Sequence, residues 1–99
     1  MAAKRRVLVI GGTGKIGQPL TAILRARGAE AVVLARQPGE GGIALDTADA
    51  DALEAAARGF DAAFLTTPLG EAETAIGLAD VAALRRAGVG RIVYIAVHN

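Results

Sequence analysis

The sequence predicts an open parallel α/β sheet, strand order 3-2-1-4-5, with helices on both faces. Three observations carry that expectation. Apolar strand-length runs alternate with helix-period segments in the order β-α-β-β-α-β-α-β. The first run, Val7-Leu8-Val9-Ile10, is apolar at every position, as a strand buried on both faces requires. A cluster of glycines follows it at once and leads into a helix pattern, the punctuation of a sharp strand-to-helix turn.

The elements follow in order. Ile16, Leu20, Ile23 and Leu24 are spaced by four, seven and eight residues, which predicts one apolar helix face. Pro19 falls in or near the first turn, where a missing N–H costs little. Arg25 and Arg27 suit the last turn, and Gly28 the stop. Ala31 to Ala35 reads as a second strand and Gln37 to Gly42 as a Pro/Gly-rich loop. Ile43-Ala44-Leu45 reads as a short third strand ending at Asp46. Asp51 and Glu54 have capping-box spacing for a helix to about Arg58, closed by Gly59. Ala62 to Leu65 reads as a fourth strand ended by Thr67-Pro68, a longer helix runs from about Glu71 to Ala87, and Ile92 to Ala96 reads as a fifth strand. The third strand strains the scheme. A parallel connection usually takes about a dozen residues, and Gln37 to Gly42 supplies six. Gly39, Gly41 and Gly42 ease the turns it needs.

Length and composition bound the function. The chain of 99 residues makes one domain, residues 1–99. Aromatic residues are 3% and the net charge is +1, so neither base stacking nor a global field favours nucleic acid or an anionic membrane. Lys4-Arg5-Arg6 reads as a solvated flank of the first strand. With no cysteine, thiolate catalysis and cysteine-ligated metal are excluded; no metal site and no catalytic set stand out. No apolar run approaches the roughly 20 residues of a membrane span, and the expectation is a cytoplasmic protein.

The glycine cluster carries the chemistry. Gly12-x-Gly14-x-x-Gly17 and Gly11-x-x-Gly14-x-x-Gly17 are both present in Gly11-Gly12-Thr13-Gly14-Lys15-Ile16-Gly17. A strand-to-helix turn that holds a pyrophosphate needs a residue tolerant of positive φ. It needs backbone free of Cβ where the phosphates approach, and a last glycine for close helix packing. Free N–H groups and the positive end of the helix dipole then hold the anion, and Thr13 adds a hydroxyl. The predicted sheet is thus Rossmann-like, and the predicted ligand is NAD(P). An acidic residue at the end of the second strand would favour the ribose 2′-hydroxyl of NAD(H). Arg36 stands there, nineteen residues past Gly17, and a guanidinium suits a 2′-phosphate. NADP(H) is therefore expected over NAD(H), with Glu40 close enough in the loop to blunt the preference. Two readings of Asp46 stand side by side: an acceptor for the adenine amino group, or a turn residue before the next helix. Thr66-Thr67-Pro68 has two as well: a lining of the cofactor's ribose on the carboxyl rim of the sheet, or a strand-ending turn.

Val7 to Gly17, Leu34-Ala35-Arg36, Asp46 and Gly88-Val89-Gly90-Arg91-Ile92-Val93-Tyr94 together resemble the NmrA-like, atypical branch of the short-chain dehydrogenase/reductases. The resemblance spans nearly the whole chain and implies the N-terminal portion of a longer protein. It implies NAD(P) binding, often of NADP(H), with contacts from Gly11, Thr13, Gly14, Lys15, Ile16, Arg36, Asp46 and the Thr66–Pro68 turn. Some members reduce quinones or other small carbonyl-type substrates; others are redox-sensing regulators without activity. Two departures matter. Ala96 stands where catalytic relatives often have serine after the fifth strand. Tyr94 is followed four residues on by His98, not by the lysine that would lower a tyrosine's pKa for proton transfer.

Two functions follow. One is the nucleotide-binding portion of an oxidoreductase acting on a small molecule; the other is a non-catalytic dinucleotide sensor. A third expectation concerns assembly: Ile92 to Val97 is a long apolar strand at the sheet edge, and such edges pair with other chains.

Overall fold

The computed structural model describes residues 5–11, 17–68 and 71–97. Its elements are β1 (Arg6–Ile10), α1 (Gly17–Ala26), β2 (Glu30–Ala35), β3 (Ile43–Ala44), α2 (Ala50–Ala57), β4 (Ala62–Pro68), α3 (Glu71–Arg86) and β5 (Arg91–Val97). The five strands form one sheet in the order β3-β2-β1-β4-β5, and every pairing is parallel. The predicted Rossmann-like order is therefore the observed one.

The central strand divides the core in two because successive side chains point to opposite faces. Leu8 and Ile10 join Leu34, Leu53, Phe60, Leu65 and Leu84 in the cluster beneath α2 and α3. Val7 and Val9 join Ala31 on the other face, where Leu20 and Leu24 of α1 cover them. All four β1 positions from Val7 to Ile10 are 4% exposed or less, which is why the run carries no polar residue. The face of α1 differs from the expected one. Gly17 and Thr21 are its buried residues, Leu20 and Leu24 pack beside them, and Ile23 is 53% exposed. Small side chains at 17 and 21 let the helix lie close to the sheet, so the buried stripe turns away from Ile23. The Thr21 hydroxyl is satisfied there by donating to the Gly17 carbonyl at 2.7 Å.

The short connection to β3, seven residues from Arg36 to Gly42, is resolved by register. Leu34 pairs with Ile43 and Ala35 with Ala44, so β3 lies beside only the last two residues of β2. The chain doubles back a few ångströms rather than a whole strand length. Gly39 and Gly41, at φ of +81° and +80°, make the reversal. The N-cap of α2 also differs from the expected Asp51. It is Asp49, whose carboxylate accepts from the Ala52 N–H at 3.1 Å. Asp51 lies in the first turn, where it complements the helix dipole.

Two polar brackets hold the outside of the sheet. Arg6 is more than a solvated flank. Its Nε donates to Glu30 Oε2 at 2.6 Å, its backbone N–H donates to Asp61 at 2.8 Å, and its guanidinium lies 4.3 Å from the centroid of Phe60. Glu54 of α2 accepts from Arg86 of α3 at 2.6 Å and lies 3.5 Å from Arg58. The Arg86 hydrogen bond holds the Glu54 carboxyl below the usual carboxylate range.

One buried group departs from the pattern. Asp80 of α3 is 1% exposed, and among the described residues neither carboxylate oxygen has a hydrogen-bond partner. Burial, reinforced by the negative charge of Asp46, raises its pKa to about 6. A folded-state pKa above the unfolded one means that the fold binds the proton more tightly than the open chain. Stability from this group is present in acid and is lost as the pH rises from about 4 through about 6. Asp80→Asn is expected to raise the thermal midpoint by several degrees at pH 7.5, with the gain shrinking toward zero near pH 4; thermal melts of both proteins across that range check it. In the core cluster beneath α2 and α3, Leu53 has no exposed surface. Leu53→Ala should cost about 2–5 kcal/mol in denaturant unfolding.

Candidate functional site

A cleft of about 930 Å³ opens at the carboxyl ends of the strands, within the size range of small-molecule sites. Its floor is the end of β1, Ile10 and Gly11, and one wall is Leu34 to Gln37 at the end of β2. Leu45 to Ala48, leading from β3 toward α2, extends that wall, while Leu65 to Thr67 of β4 and Ile76 of α3 close the other side. This is where strand order reverses. β1 sits between β2 and β4, and the helices that follow β1 and β4 pack on opposite faces of the sheet, leaving a crevice between them.

Gly11 makes the crevice geometrically allowed. Its φ is +81°, a conformation that a side chain disfavours. A Cβ there would run into Thr66 Oγ1 and lie 3.1 Å from the Thr66 carbonyl. Thr66 uses the vacant space to donate its hydroxyl to the Ile10 carbonyl at 3.2 Å. On the other side, the Gly11 N–H donates to the Leu34 carbonyl at 3.1 Å. The end of β1 is thereby tied to both neighbours at the cleft floor.

The expected site residues distribute as follows. Gly11, Arg36, Asp46, Thr66 and Thr67 all line the cleft. Gly17 opens α1 and is buried. Gly12, Thr13, Gly14, Lys15 and Ile16 lie outside the described residues, as does His98. Thr66, Thr67 and Pro68 are the last three residues of β4 rather than a turn, because the strand continues alongside β5 as far as the Pro68–Val97 pair. Arg36 is exposed and, among the described residues, forms no ion pair, with Glu40 or any other acid. Asp46 does part of what a turn residue does: Oδ1 accepts from the Ala48 N–H at 2.9 Å. Its side chain still borders the cleft, so the two readings of that residue are compatible.

Three residues absent from the expected set belong to the surroundings of the site. Asp80 lies one helical turn beyond Ile76, and its carboxyl senses Asp46 across the cleft wall. The signal in the sequence was an acid on the stripe Ile76, Asp80, Ala83, Leu84. Tyr94 and Gly77 form the second feature. The Tyr94 hydroxyl is 2.9 Å from Thr67 Oγ1, and its ring rests where a side chain on Gly77 would stand. A glycine inside a helix, which costs about 1 kcal/mol relative to alanine, was the available sign.

Comparison with known proteins agrees with this geometry. A human protein, Epimerase family protein SDR39U1, is 52% identical over 48 residues, which are 48% of this chain and 16% of the human one. Among solved structures, PA4631, a nucleoside-diphosphate-sugar epimerase from Pseudomonas aeruginosa, is 28% identical with a TM-score of 0.72, over 93% of this chain and 33% of that one. A short-chain dehydrogenase/reductase superfamily protein from Agrobacterium tumefaciens, solved with bound NAD, is 25% identical with a TM-score of 0.73, over 91% and 32%. The chain thus spans about a third of the length of these two structures. Strand order, the glycine-bearing end of β1 and a family match over residues 3–99 lead to one assignment: the chain belongs to the NmrA-like family.

Proposed function

We propose that this chain binds an NAD(P) dinucleotide across the cleft, prefers NADP(H), and is the nucleotide-binding portion of an oxidoreductase acting on a small molecule. The observation that carries the reading is the pairing of Gly11 with Arg36 on one cleft. Gly11 supplies backbone without a Cβ at the strand-order switch, where a pyrophosphate approaches most closely. Arg36 supplies an exposed guanidinium with no carboxylate neutralising it among the described residues, suited to a 2′-phosphate. Asp46 stands on the same wall as an acceptor for the adenine amino group. The chemistry of these donors and acceptors fits a phosphorylated adenosine at the β2–β3 side and the rest of the dinucleotide toward β4. When bound, such a cofactor supplies hydride transfer; the chain's own residues bind and orient it. The Agrobacterium relative solved with NAD supports the ligand class.

A second reading, a dinucleotide sensor without turnover, draws on Tyr94. Its hydroxyl is engaged by Thr67 and does not line the cleft.

Calorimetric titration of NADPH and NADH into the wild type and Arg36→Ala tests the binding claim. NADPH should bind tighter than NADH, and Arg36→Ala should weaken NADPH by on the order of tenfold or more while leaving NADH nearly unchanged. No heat from either ligand would overturn the reading. Equal affinities that the substitution leaves alone would overturn the role of Arg36.

A further inference from the structure

We propose that Tyr94 is a positioning residue for the half of the cleft that lies over β4, acting through Thr67. The inference rests on the dinucleotide reading above and adds the residue that shapes the end of the cleft away from Arg36.

The geometry is specific to this corner. Tyr94 lies opposite Leu65 in the β4–β5 pairing, and its hydroxyl reaches the residue two positions further along β4, Thr67, at 2.9 Å. Leu65, Thr67 and Tyr94 share the sheet face beneath α3, since alternate residues of a strand point the same way. Thr67 is a lining residue of the cleft; Tyr94 is not. The two adjacent threonines are thus held in opposite directions, Thr66 by the carbonyl of Ile10 on β1 and Thr67 by the phenol on β5.

The Thr67–Tyr94 contact lies at the carboxyl end of β4, where it joins β4 to β5 in addition to their backbone pairing. The space for it comes at a cost to α3. A Cβ on Gly77 would overlap Tyr94 Oη and lie 2.5 Å from its Cζ, so the phenol enters only because the helix carries glycine in its interior.

The adenosine half of the dinucleotide is read at the β2–β3 wall by Arg36 and Asp46, so the half that meets Thr67 is the nicotinamide riboside. That separates a positioning role from general structural support. The probes are NADP⁺, which spans both halves, and adenosine 2′,5′-bisphosphate, which occupies only the Arg36 side. Tyr94→Phe keeps the ring over Gly77 and removes only the hydroxyl. It should weaken NADP⁺ about threefold to tenfold, the range for one lost hydrogen bond, and leave the bisphosphate within about twofold. Thr67→Val should reproduce the effect and Thr67→Ser should restore wild-type affinity. The Tyr94→Phe, Thr67→Val double variant should be no weaker than either single one, because both remove the same contact. Equal loss for the two ligands would mean a structural role and would overturn the proposal, as would unchanged NADP⁺ affinity in both single variants. If the wild type binds neither ligand, the dinucleotide reading itself is overturned and this inference goes with it. The Thr67 pair carries the test should Tyr94→Phe fail to fold.

Discussion

The close approach of Gly11 to Thr66 is the constraint on which the cleft depends. Two parallel neighbours, β1 and β4, end side by side while their following helices pack on opposite faces of the sheet. The chain leaving β1 must turn within one residue, at positive φ, against the side chain of Thr66. With no Cβ at Gly11, Thr66 closes the gap by bonding the Ile10 carbonyl. A larger residue would push β1 and β4 apart at the rim and break the Thr66–Ile10 hydrogen bond that joins them at the cleft floor. Backbone conformation, side-chain identity and cleft shape are here one requirement.

Charge around the cleft is arranged unevenly. The β2 side offers an exposed guanidinium at Arg36, and the wall that follows carries Asp46 with Asp80 buried behind it. Asp80 destabilises the fold near neutral pH, since burial and Asp46 both oppose its ionisation. Functional regions are where a fold tolerates such departures from good packing, and Asp80 sits one turn from a cleft-lining residue. Gly77 is a comparable departure in α3, tolerated because the Tyr94 ring needs the space.

Much of the fold was legible in the sequence because it rests on local patterns. The wholly apolar Val7–Ile10 run implied a central parallel strand, and the glycines after it implied a turn at the sheet's carboxyl rim. What went astray did so for identifiable reasons. Ile23 matched a helical period but lies outside the buried stripe, because Gly17 and Thr21 allow closer packing than apolar spacing alone suggests. The α2 cap fell at Asp49 rather than Asp51: two acids two residues apart offer nearly equal local choices, and the start of the helix is decided by how the chain arrives from β3. The short β2–β3 loop would be strained if β3 paired along all of β2, but it pairs only with Leu34 and Ala35.

The sequence by itself determined the class of fold, the strand order and the residues at the strand ends that line the cleft: Gly11, Arg36, Asp46, Thr66 and Thr67. Those are set by periodicity and by the backbone demands of tight turns, which a linear pattern records. Only the tertiary structure decided how these residues are held. The hydroxyl of Tyr94 on Thr67, the space left by Gly77 for the phenol, and the burial of Asp80 near Asp46 join residues from different elements. Such contacts depend on the distance and rotation between packed elements, and no spacing along the chain encodes either.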